Sequence, residues 1–470
     1  MKKILFVLIF MAGCAEEPQR EWKPPPRQLV NPVVLDLEAV PEDPEIFPAG
    51  VIAGDPAPSF MMLWTQTTAT SEVRLKVWIP DVDPSDPRRV DLLYDRPVTV
   101  EEAGVVHQWV GAVVPGLRHG YAFFTAEARS RVGYFTASPP QDALVRLTFS
   151  GTHGTHQKHA PYPALVKNAE FEPFTLYLHL GDSIYADDAE TLEDFRAMWQ
   201  ENWQTEGFRA VLEDTVYLPV WDDHEVENDF SLEFSDPRRV WRALTAFYEF
   251  NPIRRMPGPE FRLWRSWRWG RTVEFFALDC RGERLPSTRE DLDAQYISPE
   301  QMAWLKDALL SSDAVFKLII NSVPIWDMPE VWMNIYDRWE GFVPQRQELI
   351  DFILESGMTN VYFVTGDFHM ATVGSLDPPG GSGDILWEFI VGPGSQSNPF
   401  GDRLAVIEET GGVVDPLPPA QFLWGHPTAT LSYVDLDPLA DPPRMTLRYY
   451  DQEGAHLYTV SFVNGQPEKL

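Results

Sequence analysis

Three times in this sequence a short apolar run ends in an acidic motif: Gly181-Asp182-Ser183-Ile184-Tyr185, Trp221-Asp222-Asp223-His224-Glu225 and Thr365-Gly366-Asp367-Phe368-His369. Carboxylates gathered at one place without cations repel one another and take up protons. Bound hard metal ions remove that conflict. Oxygen-rich donors joined by one or two imidazoles suit iron, manganese, zinc or calcium. Each motif alone has a plainer use: Asp182 as a turn residue, Tyr185 as a buried aromatic, His224 in a solvated acidic turn. Together they point to a metal site. His369 stands two residues after Asp367, a spacing that lets both face one way on an extended corner. Asp222 is placed to orient His224, as neighbours of metal-site imidazoles do.

These motifs need strands to carry them. In layered folds ligands bind beyond the carboxyl ends of strands, so the three corners converge if their strands are neighbours. After residue 138 apolar strands alternate with helical stretches. Strands are expected at 145–149, 174–180, 216–221, 273–278, 315–320 and 361–364, and helices at 190–212, 237–250, 299–310 and 344–355. Ser298 is placed to cap the third helix, and proline opens the last two. The tail from about 428 to 462 reads as strands completing a sheet. Residues 49–138 hold short strands separated by Pro, Asp and Gly turns, which indicates a fibronectin- or immunoglobulin-like β-sandwich. The fold class is therefore an α/β (α+β) layered catalytic domain over 142–470, two packed mixed sheets flanked by helices, behind a small all-β sandwich.

The 470 residues carry a net charge of −32, which repels polyanions and argues against nucleic-acid binding. Residues 1–14 pair Lys2 and Lys3 with an apolar run ending Ala12-Gly13-Cys14, the layout of an exported lipoprotein's signal peptide with Cys14 as the lipidated residue. Cys280 is the one other cysteine, so a lipidated Cys14 leaves no internal disulfide. Residues 15–48 are proline-rich and acidic and read as an extended tether. The expected location is extracytoplasmic, anchored to a membrane through Cys14.

The ordered motifs resemble the alkaline phosphatase D family of the metallophosphatase superfamily. The likeness runs from Gly50 to the carboxyl terminus. It takes in residues 47–65 (FPAGVIAGDPAPSFMMLWT), 265–270 leading to Leu278-Asp279-Cys280-Arg281, 298–311 (SPEQMAWLKDALLS) and Asp337-Arg338-Trp339-Glu340-Gly341-Phe342. The resemblance implies a phosphate-ester substrate and two or more metal ions. It implies Asp182 bridging the metals, Tyr185 ligating the more oxidised iron, Asp223 standing where related enzymes ligate with asparagine, and Asp367 and His369 completing the ligands. It also implies His224 protonating the leaving group, with a hydroxide between cations about 3.5–4 Å apart as nucleophile. Arg281 and Asp337 match the family pattern as neighbours of the site or of the substrate, with a structural ion pair or loop anchors as their plainer use.

One departure stands out. The family places a cysteine after the first catalytic strand to hold iron, and this chain has Gly151, in Phe149-Ser150-Gly151-Thr152-His153. Either the first metal has fewer protein ligands, or His153 moves in, or the metal does not want sulfur. Two alternatives to a general phosphatase follow: a phospholipase-D-like phosphodiesterase acting on lipid or cell-wall diesters, and a degenerate surface module that binds without catalysis.

Overall fold

The computed structural model describes residues 20–26, 28–111, 113–258, 261–327, 336–396 and 421–468. Residues 1–14, including Cys14, lie outside them.

Two mixed sheets form the body. The ten-stranded sheet has at its centre Leu147–Thr152, Leu176–Leu180, Val216–Val220 and Val51–Ala57, side by side and parallel. The seven-stranded sheet has at its centre Val273–Ala277, Phe316–Asn321, Val361–Thr365 and Trp387–Ile390, again parallel. Alternation along each strand builds the layers. Leu176, Leu178 and Leu180, with Val216, Leu218 and Val220, meet Phe275, Leu318, Ile320 and Val364 in one core between the sheets. The intervening residues face outward to helices. Tyr177, Tyr217 and Ile52 pack against Leu192–Trp203, Glu206–Leu212 and Pro237–Phe250. Phe276, Ile319 and Phe363 pack against Pro299–Ser311 and Val343–Glu355.

Local chemistry sets the helix ends. Ser298 accepts from the Gln301 amide and Pro299 follows it, as expected. The helix expected over 190–212 is two helices, because Thr205 caps a new one, its hydroxyl accepting from the Phe208 amide. Thr191 and Asp194 form a reciprocal capping box at the start of the first. The short helix Pro163–Phe171 was not expected; at nine residues it is too short for a clear period.

The strands of 49–138 divide between two sheets. Val73–Ile79, Arg89–Val98, Arg118–Phe124 and Gly133–Thr136 join Pro32–Val34 in a five-stranded antiparallel sheet. Val51–Ala57, Phe60–Gln66 and Val105–Gly111 instead extend the ten-stranded sheet, and Val73, Leu75 and Val77 share the central core with Leu178 and Phe275. The segment read as a tether differs from that reading from residue 20 on. Pro32–Val34 pairs with Arg89–Val98, the Trp22 amide donates to the Leu144 carbonyl at 2.8 Å, and Phe47 is buried in the central core. Leu35, Leu37 and Val40 give this stretch an apolar grip that its prolines conceal. The tail forms Thr430–Asp437, Arg444–Asp451 and His456–Val463, antiparallel strands continuing from Leu147–Thr152. Among the described residues no helix is long and apolar enough to cross a membrane.

Candidate metal centre

The three motif strands end on the same side, where the two sheets meet. Gly181 has φ +93°, and a Cβ there would lie 2.3 Å from Cβ of Asp222, so the first and second corners touch only because residue 181 is glycine. A Cβ at Gly366 would lie 2.2 Å from the Leu180 carbonyl oxygen, which brings the third corner equally close. Asp182, Asp367 and His369 themselves have φ of 54°, 58° and 55°. Each such residue costs on the order of 1 kcal/mol or more, and strain of this kind persists where the surrounding structure enforces it.

On one side of the site, Asp182 Oδ2 accepts from Tyr185 Oη at 3.0 Å and lies 2.9 Å from His369 Nε2, which is itself 3.1 Å from Tyr185 Oη. Asp182 Oδ1 is buried with no hydrogen-bond partner. Burial alone would raise the Asp182 carboxyl, but His224 and His369 outweigh it and hold it below the usual range. Burial, then the charge of Asp182, pushes the Tyr185 phenol well above its ordinary value.

On the other side Asp222, Asp223, Asp337 and Asp367 surround the fully buried Arg281. Its Nε donates to Asp222, one Nη to both oxygens of Asp337 at 2.8 Å, and the other to Asp367 at 3.2 Å, with Asp223 at 3.7 Å. Arg284 adds a second cation, 2.6 Å from Asp337. Asp222 Oδ2 and Asp367 Oδ2 remain buried without a partner. Burial raises the Asp222 carboxyl to about 7, and burial with the charge of Asp222 raises that of Asp367 well above the usual range. Candidate ligand atoms of Asp182, Asp223 and His224 lie within 4.8 Å of one another, as do those of Asp222, Asp223 and Asp367, and those of Asp223, Asp229 and Asp337. Asp223 belongs to all three groups. Unpartnered buried oxygens in an acidic cluster fit bound cations.

His224 stands beside this junction. Its Nδ1 lies 2.8 Å from Asp187 Oδ2, and its ring centroid 4.1 Å from that of Tyr185. Burial lowers the imidazole pKa, but Asp182, the hydrogen bond to Asp187 and Asp223 outweigh burial and hold it at about 10. These carboxylates favour the protonated form of the imidazole.

Residues 147–423 match the family model of the PhoD-like phosphatases, which is more than half of the chain. The chain belongs to the PhoD-like phosphatase family. Alkaline phosphatase D of Bacillus subtilis (strain 168) is 27% identical over 385 residues, 70% of this chain; the chain spans 65% of that relative's length. The solved structure of PhoD aligns with a TM-score of 0.72 at 21% identity, covering 89% of this chain and 91% of its own. A purple acid phosphatase from yellow lupin (Lupinus luteus) seeds aligns at 0.63 and 11% identity, covering 92% and 74%. Both likenesses show the metallophosphatase-like fold.

Within this PhoD-like site the first strand brings no side-chain donor at Gly151. It is in register with Leu178, and a Cβ there would lie 2.8 Å from the Leu178 carbonyl oxygen. His153 turns one ring nitrogen to the third corner: its Nε2 accepts from the His369 amide at 3.0 Å, and its ring stacks on that of His369 at 5.5 Å. It props the third corner. Asp222 does not reach His224; its bonded partner is Arg281, and Asp187 orients the imidazole.

Sequence reasoning also left Glu225 and His156 without a part. Glu225, fully buried, accepts from the amides of Asp182, Ser183 and Asp222, so one carboxylate ties the first two corners together. Its place beside His224 was the only hint. The His156 ring stacks on Tyr185 at 4.3 Å and 6°, and its membership of a histidine-rich loop was the available signal. The cluster of Asp229 with Asp223 and Asp337 had no sequence motif to announce it.

Proposed function

We propose that this chain hydrolyses phosphate esters, with two cations bound among these carboxylates. Asp182, Tyr185 and His369 would hold one, and Asp223 and Asp367 the other. What carries the reading is the convergence of three strand-end corners on carboxylates whose buried oxygens have no partner in the protein. Cations held there supply charge for the phosphate oxygens and lower the pKa of a bound water. The iron, calcium, manganese and zinc considered above all accept such donors, and the lack of a thiolate at Gly151 weighs against a sulfur-preferring ion.

The protein's own groups do the rest. Asp187 fixes His224 through Nδ1, leaving Nε2 to give its proton to the departing oxygen, a contribution of roughly 10²–10⁴ in rate. Arg281 holds Asp222, Asp337 and Asp367 in place and offsets their repulsion. Glu225 sets the spacing of the first two corners. The amino terminus fits export and lipid attachment at Cys14, which would hold the enzyme at a membrane outside the cytoplasm.

Hydrolysis of p-nitrophenyl phosphate and its bis-ester tests this reading. Chelation should abolish activity and added metal restore it, and Asp182→Ala should lose on the order of 10³-fold in kcat, several kcal/mol of transition-state stabilisation. Activity indifferent to chelators, or unaltered in Asp182→Ala, would sink the proposal.

A further inference from the structure

Tyr185 is gripped by two consecutive residues of the loop after the first catalytic strand, His156 and Gln157. The His156 ring lies parallel to the phenol, with centroids 4.3 Å apart and planes 6° apart. The His224 ring lies 4.1 Å from the phenol at 31°. Two rings that close cannot share one face, so the phenol is packed between the two imidazoles. Gln157 holds the backbone of the same residue: its Oε1 accepts from the Tyr185 amide at 2.9 Å and its Nε2 donates to the Tyr185 carbonyl at 3.4 Å. Ring plane and main chain are both fixed from one loop.

That loop is itself tied to the site. Gly154 has φ +61°, and a Cβ there would lie 3.1 Å from Cδ2 and Nε2 of His369, so the chain passes close against that imidazole. The Thr155 amide donates to the Asp182 carbonyl at 2.9 Å, and the His156 amide to Ser395 Oγ at 3.1 Å. His156 Nδ1 accepts from the Lys158 amide at 3.3 Å, which sets the turn of the ring. Such support has a use here. The phenol oxygen stands 3.0 Å from Asp182 Oδ2 and 3.1 Å from His369 Nε2. The neighbouring strand offers no side-chain donor at Gly151, so Tyr185 carries more of this end of the site.

Resting on the reading above, in which Tyr185 ligates a cation, we infer that His156 and Gln157 are positioning residues for its phenol. His156 sets the ring plane through its flat face, and Gln157 sets the backbone, so the oxygen is aimed before an ion arrives. Neither ring nitrogen of His156 takes part in this. Neighbours that orient a metal ligand are worth roughly 10- to 100-fold in metal affinity.

The full chain would be titrated with manganese(II), the free ion being read by electron paramagnetic resonance. In parallel its tyrosines would be labelled with carbon-13 at Cζ, and the Tyr185 line assigned by its loss in Tyr185→Phe. His156→Ala and Gln157→Ala should each weaken manganese(II) binding roughly tenfold and shift the Tyr185 line of the metal-free protein. His156→Phe, which keeps the flat face and gives up both nitrogens, should restore the affinity and move the line back. Lys158→Ala, at an exposed side chain of the same loop, should change neither. His156 and Gln157 are half-buried, and an unchanged urea midpoint in each variant separates positioning from loss of fold. Wild-type affinity in His156→Ala with an unmoved Tyr185 line would overturn the inference. So would a His156→Phe variant as weak as His156→Ala, since a ring nitrogen would then be the active part. A Tyr185 line that answers to His156→Ala in a protein that takes up no manganese(II) would refute the metal reading and keep the grip on the phenol, so the two failures are distinguishable.

Discussion

The two halves of the candidate metal centre solve the same electrostatic problem differently. Around Asp182 one carboxylate meets a phenol and an imidazole, and the three groups hydrogen-bond among themselves. Around Arg281 four carboxylates share one guanidinium, with Arg284 as an outlying second cation. The first half is nearly satisfied before any ion arrives. The second gathers four carboxylates around its arginines, and burial, with the neighbouring carboxylates adding to it, pushes those of Asp222 and Asp367 upward. A buried cation from the protein thus serves as scaffold for the half whose unpartnered Asp222 and Asp367 oxygens fit a cation from solution.

The sharpest way to break this contrast is at Arg281. Replacing it with leucine leaves four buried carboxylates without their shared partner, and loss of one member of a buried ionic cluster costs about 3–5 kcal/mol. Arg281→Leu should therefore unfold at a markedly lower urea concentration, with part of the loss recovered on adding divalent cations. Wild-type stability in that variant would mean the carboxylates are neutral and the contrast false. A smaller effect is expected in the first half. Gly151→Cys pushes a side chain into the Leu178 carbonyl and should cost about 1–3 kcal/mol by overpacking, without raising iron retention. A stable Gly151→Cys protein that takes up more iron would show that the first half has room for a thiolate after all.

The same contrast marks what could be read from sequence. Asp182, Asp223 and Asp367 each follow a strand by a few residues, with His369 two residues on, so chain-local spacing was enough to bring them forward; Tyr185 and His224 took their roles from the family resemblance, and the structure gathers all six. Strand alternation and caps such as Ser298 likewise belong to neighbouring residues, which is why the layered fold was legible. The charge balance was not. The family pattern marked Arg281 and Asp337, but Arg281 acts on Asp222, Asp337 and Asp367 across separations of 59, 56 and 86 residues, and no local pattern places its guanidinium at the centre of four carboxylates. Sheet continuity was hidden for the same reason: the parallel pairing of Val51–Ala57 with Val216–Val220 is a long-range event that period-two patterning cannot specify. The tether reading failed because proline content was weighed above the spacing of Leu35, Leu37 and Val40.

The metal content of the purified protein, measured together with its activity, bears most directly on the central claim. The account predicts two cations per chain in the active protein, and no more than one, with hydrolysis lost, in Asp223→Ala. Full hydrolysis by metal-free protein, or an Asp223→Ala variant that keeps both ions and its activity, would contradict it.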